Sequence, residues 1–258
     1  MPDVAGPRAA AERAARSAAV EIVEVATPAE AAETVAVFSA TWGEGRGADT
    51  STLQAIAHAG NPVLLARRDG LVLGALFSFI GWDGGLHVHS HMTAVSPLLR
   101  STGVGLALKL AQRAQCLDHG ISEVRWTYDP LIRRNARFNL GKLGAVVSAF
   151  RPDFYGVLDD AINGTDRSDR FEVSWRLDAP EVDAAVAGGG AQAGLGGTDD
   201  VTLPADFESM RREDPGELRE SSRRVFAAAL GSGAYVRFTG TGYVFDQGSA
   251  AAGEERAR

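Results

Sequence analysis

The stretch VSPLLRSTGVG, Val95-Ser96-Pro97-Leu98-Leu99-Arg100-Ser101-Thr102-Gly103-Val104-Gly105, indicates how the centre of the chain folds. A strand pattern containing HVHSHM, His87 to Met92, precedes it, and a helix pattern follows from Gly103 to His119. Glycine lets the backbone turn tightly with its N–H groups uncovered, and a helix start adds partial positive charge. The stretch therefore predicts a binding site for phosphate groups.

Two common phosphate-binding patterns do not fit this loop. A dinucleotide fingerprint needs a third glycine, but Leu108 occupies that position. A Walker loop needs Gly-Lys followed by Ser or Thr, and no such run is present.

Composition narrows the classes of partner. The 258 residues are 45% hydrophobic, so they can form a sizeable core. The net charge of -7 argues against a broad nucleic acid or anionic membrane surface, so an anionic ligand must be held locally. The single cysteine, Cys116, excludes an intramolecular disulfide and fits a cytoplasmic location, where it is expected to pack inside a helix.

The pattern of the chain predicts helices, an antiparallel meander, and then strand-helix-strand-helix-strand. The predicted strands are Glu21–Val25, Val63–Arg67, Leu71–Trp82, the histidine segment, Glu123–Tyr128, Ala145–Phe150 and Phe171–Leu177. The predicted helices are Thr27–Trp42, Asp49–Ala59, Gly103–His119 and Arg133–Leu143.

The ends differ in composition from the centre. We expect a disordered start (1–19), a main domain (20–178), a Gly/Ala-rich linker (179–200), a C-terminal helix and strand extension (201–246) and a disordered tail (247–258). The extension is too short for a core of its own, so it should dock on the main domain or on a partner subunit.

The central stretch resembles motif A of the GNAT acetyltransferase superfamily, V-x-P-x-x-R-x-x-G-x-G. Its motif positions are Val95, Pro97, Arg100, Gly103 and Gly105. Asn135-Ala136 and KLG (142–144) are similar to the family's fourth helix. An uncharacterised branch with a C-terminal extension has stretches that resemble SHM (90–92), WTYDPL (126–131), NARFN (135–139) and FYG (154–156). The resemblance implies an α/β (α+β) fold whose mixed, mostly antiparallel sheet is flanked by helices.

It also implies a site for acetyl-CoA as the acyl donor. The pyrophosphate would contact Arg100, Ser101, Thr102, Gly103, Val104 and Gly105. Pantetheine would lie along Met92, Thr93, Ala94 and Val95, where two strands of the sheet separate. Asn135 and Phe138 would line the far side of the cofactor. The implied reaction is N-acyl transfer to the amine of a small molecule, with no nucleic acid or membrane partner.

The histidines suggest the base for this reaction. Family members that use a strand carboxylate place it about six residues before the position of Val95, which here is His89. His91 is nearly as good a candidate, since an imidazole can accept a proton at neutral pH. Alternatively, these imidazoles only form hydrogen bonds across the sheet, and His87 is structural.

The resemblance does not supply the general acid for this reaction, because Leu140 stands where many family members have a tyrosine. Tyr155, Tyr128 or solvent could supply the proton; we favour Tyr155, although it could instead cap the core.

Three alternatives stay open. The missing tyrosine favours a non-catalytic sensor or scaffold that binds CoA or a metabolite. A zinc hydrolase built on His87 and His89 would need a third ligand, so we expect no metal. The extension could close its own subunit or form a homodimer.

Overall fold

A computed structural model describes residues 5–96, 102–160, 162–188, 198–213 and 216–247. The chain forms two compact units. The first holds the described residues up to Trp126, with Asp160, Ile162 and Arg176–Asp178. The second holds Thr127–Asp159, Asn163–Trp175 and the described chain from Ala179 onward.

The first unit consists of helices and a sheet. Its helices are α1 (Ala5–Ser17), α2 (Pro28–Trp42), α3 (Thr50–His58) and α4 (Val104–Asp118). Its strands are β1 (Glu21–Glu24), β2 (Val63–Arg68), β3 (Leu71–Gly81), β4 (His87–Val95) and β5 (Glu123–Tyr128), whose last two residues belong to the second unit.

The strands lie in the order β1-β2-β3-β4-β5. The first four are antiparallel, and β4 and β5 run parallel. One face packs on α2 and α3 through Leu65, Phe77 and Met92, and the other packs on α1 and α4 through Leu76 and Leu108. Because both faces are covered by helices, the predicted α/β fold with a mixed, mostly antiparallel sheet is confirmed.

Local sequence signals place the start of a helix and a hairpin turn where the sequence analysis predicts them. Thr27 and Glu30 form a capping box at the start of α2: the Glu30 N–H donates to Thr27 Oγ1 at 3.3 Å and the Thr27 N–H to Glu30 Oε2 at 3.0 Å. Asp69 and Gly70 both have positive φ in the β2–β3 turn, as the hairpin prediction requires.

The prediction of a disordered start is wrong for residues 5–17, which form α1. Alanine has the highest helix propensity, and its small side chain allows close approach to α4. The Arg68 guanidinium donates to the Ala18 and Ala19 carbonyl oxygens at 2.6 and 2.9 Å, which satisfies acceptors at the end of the helix. These partners come from distant sequence, so local composition did not indicate them.

The second unit contains the rest of the described chain. Its helices are α5 (Arg133–Ala136), which continues as a π-helix (Arg137–Lys142), α6 (Pro180–Val186), α7 (Phe207–Glu213) and α8 (Gly216–Gly231). Strands β6 (Val146–Arg151) and β7 (Arg170–Arg176) form an antiparallel pair, and the last residue of β7 belongs to the first unit. A second sheet has the strand order β8-β10-β9 and consists of β8 (Val201–Thr202), β9 (Tyr235–Phe238) and β10 (Gly242–Asp246).

Aromatic side chains join the C-terminal extension to the core of this unit. Phe226 of α8 lies 4.7 Å from Phe171 of β7 and 5.6 Å from Phe150 of β6, measured between ring centroids. Tyr243 of β10 lies 5.3 Å from Phe171. The extension therefore packs within the second unit and shares its core.

The predicted linker is partly wrong. Residues Pro180–Val186 form α6, whose Val182 and Ala185 are buried, because proline suits a first helical turn and two apolar residues suffice to pack a short helix. The Gly/Ala-rich residues 189–197 and the tail from 248 lie outside the described residues. Within the described ranges, no helix combines the length and apolar character needed to cross a membrane.

We predict that Phe226→Ala lowers the free energy of unfolding by about 3–5 kcal/mol, because it leaves a cavity among buried rings. The adjacent Val225→Ala, on the exposed side of α8, should cost less than about 0.5 kcal/mol. Urea denaturation followed by tryptophan fluorescence measures both. Equal effects would mean that the extension does not share the core.

Candidate active site

A β-bulge shapes strand β4 at the histidines. Phe77 of β3 pairs with Met92 and Ser78 pairs with Ser90, so His91 is the extra residue on β4. Simple alternation would place His91 and Met92 on opposite faces. The bulge changes the alternation at this point.

As a result, His89, His91 and Met92 face the same side as α2 and α3. Met92 packs with Phe77 in that core, and the His91 ring lies 5.7 Å from Phe77 and 6.0 Å from Phe79. The His89 and His91 ring centroids are 5.9 Å apart. The two candidate bases predicted from the sequence are therefore neighbours in one cluster of aromatic rings.

The two imidazoles differ in environment. His89 is half-buried, and His91 keeps an exposed side. The protein atoms around the His91 ring still reduce its hydration, and this desolvation lowers its pKa from 6.5. A lower pKa increases the neutral fraction at pH 7, which is the form that accepts a proton.

His87 has a structural environment. It is buried, its Nδ1 lies 2.8 Å from the Gly85 carbonyl oxygen, and its ring packs on Gly81, where an added Cβ would lie 2.7 Å from Nε2. In the described part of the chain, no three or more His, Cys, Asp or Glu side chains are grouped to hold a metal ion.

Strands β4 and β5 begin together and pair briefly. Their registered parallel pairs are Val88 with Val124 and His89 with Arg125. Strand β4 runs on from Ser90 to Val95 while it pairs with β3 on its other edge. The segment Met92–Val95 therefore has one backbone edge outside the β4–β5 ladder, which suits a ligand that binds like an added strand.

The start of α4 is the second part of the candidate site. Gly103 is the residue preceding the helix and adopts the left-handed conformation (φ 93°). Because glycine has no side chain, Gly103 cannot cap the helix with a side-chain hydrogen bond. The backbone N–H groups of the first turn have no intrahelical acceptors. Thr102 is exposed, and Val104 is buried against α1 and the sheet. Arg100 and Ser101 lie outside the described residues.

Sequence reasoning missed a polar group beneath β4. Lys109 and Gln112 of α4 are buried, and both donate to Ser90 Oγ, at 2.7 and 3.1 Å. The available signal was a lysine and a glutamine three residues apart on the apolar face of a helix, where polar side chains need buried partners.

The remaining predicted residues belong to the second unit and are described within it. Asn135 and Phe138 are half-buried on α5 and the π-helix. Leu140, where the resemblance to the GNAT superfamily would have placed a tyrosine, is buried in the core and contributes no acid. A π-helical turn is rare and often occurs at functional sites.

Tyr155 follows β6 and is partly exposed, with 38% of its surface accessible. Its hydroxyl lies 3.1 Å from Thr127 Oγ1, and its N–H donates to Ser168 Oγ at 3.0 Å. The Arg170 guanidinium lies 5.6 Å from its ring centroid. Tyr128, the alternative acid, is buried, and burial raises its pKa well above 10.0, which makes it a poor acid here.

A buried ion network organises the turn after β5. Asp129 accepts two hydrogen bonds from Arg219, at 3.0 and 2.8 Å, and one from Arg211. Burial opposes ionisation of Asp129, but the charges of Arg219, Arg211 and Arg170 outweigh it and lower its pKa below 3.8. Arg211 is buried, although it lies in a charged helix pattern of the kind that usually faces solvent.

The fold is that of the GNAT acetyltransferases. Naa50 of Arabidopsis thaliana, solved with the bisubstrate analogue CoA-Ac-MVNAL, matches 60% of this chain and 97% of its own, with 17% identity and a TM-score of 0.50.

Two further solved structures have similar values. The protein yncA of Salmonella typhimurium, solved with acetyl-CoA, matches 62% of this chain and 95% of its own at 20% identity and a TM-score of 0.49. The ribosomal-protein-S18-alanine N-acetyltransferase of Escherichia coli covers the same shares at 13% identity and a TM-score of 0.49. No protein-family model and no curated protein matches the sequence.

We predict that His91 titrates below pH 6.5 in the folded protein and near its ordinary value in urea. Because the unfolded chain then binds a proton more readily, His91 lowers the free energy of unfolding as the pH falls through this range. Two-dimensional NMR of the imidazole signals measures both midpoints. Phe79→Ala should raise the folded midpoint by admitting water, and a wild-type midpoint at or above 6.5 would contradict the proposed desolvation.

Proposed function

We propose that the protein is an acyl-CoA-dependent N-acyltransferase that moves an acetyl group from acetyl-CoA to the amine of a small molecule. One observation supports this most directly. Strand β4 leaves its ladder with β5 after His89, continues to Val95, and is followed by a helix that begins after Gly103 and whose first-turn N–H groups have no acceptor within the helix. The two features suit the two ends of one ligand, a pantetheine arm and a pyrophosphate.

Each part of the donor has proposed partners. The pyrophosphate would contact the N–H groups of Thr102 to Gly105, with Arg100 and Ser101. Pantetheine would lie along Met92–Val95, and Asn135 and Phe138 would complete its binding. With a net charge of -7 on the chain, local N–H groups and a helix dipole are a physically reasonable way to hold an anionic ligand.

His91 is the proposed base. The amine must lose a proton as its nitrogen attacks the thioester carbonyl carbon and the carbon–sulfur bond breaks. The exposed imidazole at the bulge, with its lowered pKa, suits that proton transfer at neutral pH. His89, 5.9 Å away, is the alternative base.

Tyr155 is the proposed acid that returns a proton to the departing thiolate. Its partial exposure and the Thr127 and Arg170 side chains around it support this role, because they orient the ring and hydroxyl. Bringing both reactants into one site would supply much of the acceleration.

We predict that Gly105→Leu weakens acetyl-CoA binding at least about tenfold, roughly 1.4 kcal/mol, because a side chain would cover the N–H groups at the start of α4. Gly6→Leu is the matched control, since Gly6 also lies in a first helical turn and has open space around its Cβ position. Calorimetry measures binding, and circular dichroism checks folding. Unchanged binding by a folded Gly105→Leu protein would refute the proposed phosphate site.

We predict that the wild-type protein releases free thiol from acetyl-CoA in the presence of a panel of small amines. His91→Gln should lower kcat by about 10²–10⁴-fold, the usual contribution of a general base, while acetyl-CoA binding stays intact. Wild-type activity should fall below the His91 pKa, and the variant should lose that acidic limb. If His89→Gln lowers kcat by about 10²–10⁴-fold and His91→Gln has little effect, the base is His89 and not His91.

The sensor or scaffold alternative has one observation in its favour, the buried Leu140 in place of a tyrosine. Such a protein would bind CoA and release no thiol with any amine on the panel.

A further inference from the structure

The point where β4 and β5 separate contains a buried lysine, Lys109. The last registered pair is His89 with Arg125, and the next residues are Ser90 and Trp126. We call Ser90 and Trp126 the fork. Lys109 Nζ donates to Ser90 Oγ at 2.7 Å and lies 4.0 Å from the centroid of the Trp126 ring. One side chain therefore contacts the first residue of each strand beyond the shared ladder.

A second side chain completes this contact. Gln112, one helical turn after Lys109, donates to Ser90 Oγ at 3.1 Å and accepts from Lys109 Nζ at 3.3 Å. Three polar groups thus satisfy one another in an apolar layer.

This arrangement is costly for stability. Lys109 is 3% exposed and, among the described residues, makes no ion pair with a carboxylate. Burial lowers its pKa to about 7, and only Cys116, on the same helix, is a titratable group that opposes the shift. The strands facing it contribute the uncharged Ser90 and Trp126. An apolar residue of similar length would fill the space without the desolvation penalty.

We propose that Lys109 is a positioning residue for the acyl-transfer site, which holds Ser90 and Trp126 at the fork and thereby fixes the bulge that presents His91. This inference rests on the proposed function.

The connection from Lys109 to the imidazoles is short. Ser90 lies between His89 and His91 in sequence and pairs with Ser78 immediately before the bulge. Fixing Ser90 Oγ from the α4 side therefore fixes the backbone from which both imidazoles project to the other side. The Lys109 amine on the Trp126 face also limits how β5 can approach β4 beyond the ladder.

The test compares wild type with Lys109→Met, which keeps the length of the side chain and removes its charge and hydrogen bonds. Ser90→Ala removes the other end of the same contact. Gln115→Met is the control, because Gln115 lies on the same helix and makes none of the hydrogen bonds at the fork.

We expect Lys109→Met to be as stable as wild type or more stable, while kcat falls at least tenfold and the KM for acetyl-CoA changes less. Ser90→Ala should lower kcat in the same direction, and Gln115→Met should not. A parallel loss of stability and activity would indicate a merely structural role and overturn the proposal, as would an unchanged kcat.

Two readouts do not depend on catalysis. Between pH 7 and 10.5 the unfolded chain binds a proton at Lys109 that the folded protein has released, so the wild-type free energy of unfolding should rise with pH relative to Lys109→Met. The NMR signals and titration midpoint of His91 should shift in Lys109→Met. If wild type shows no turnover, the proposed function fails, and an unshifted His91 then refutes the positioning role separately.

Discussion

The candidate site depends on strand β4, whose two edges pair with their neighbours over different lengths. On one edge it pairs with β3 from His87 to Val95, and on the other its ladder with β5 ends at His89. At His91, a bulge adds one residue to β4. This extra residue changes the direction of the side chains without ending the pairing with β3. The bulge places both imidazoles on one face of the sheet, and the early end of the β4–β5 ladder leaves the fork and one backbone edge of Met92–Val95 outside that ladder.

The second unit depends on a buried charge network. Asp129 follows β5 directly, and Arg211 and Arg219 come from the C-terminal extension. The Tyr243 hydroxyl donates to the Pro130 carbonyl oxygen at 2.8 Å. A buried carboxylate is tolerated only with such partners, so the extension completes the turn that leads into α5. The helix carrying Asn135 thus begins at a turn that the end of the chain stabilises.

Sequence predicted the elements whose signals are local. Thr27 and Pro28 mark the start of α2, Asp69 and Gly70 mark a hairpin, and the alternating pattern of β5 gives its bounds as observed. It failed for α1, whose alanines give no strong periodic signal and whose stabilising contact, Arg68, is distant in sequence. Sequence did not indicate the buried ion pair of Arg211 either, since an arginine on a charged helix resembles a solvated one until a buried carboxylate lies beside it.

The sequence by itself determined the order of the elements, the glycines before and within the start of α4, and the choice of His89 and His91 as candidate bases. Spacing along the chain specifies helix starts, tight turns and which strand a residue occupies. Only the tertiary structure decided that His91 is the bulged residue and that Lys109 lies on Ser90 and Trp126. Register between strands and partners for a buried charge depend on residues far apart in sequence, and a single segment carries no information about either.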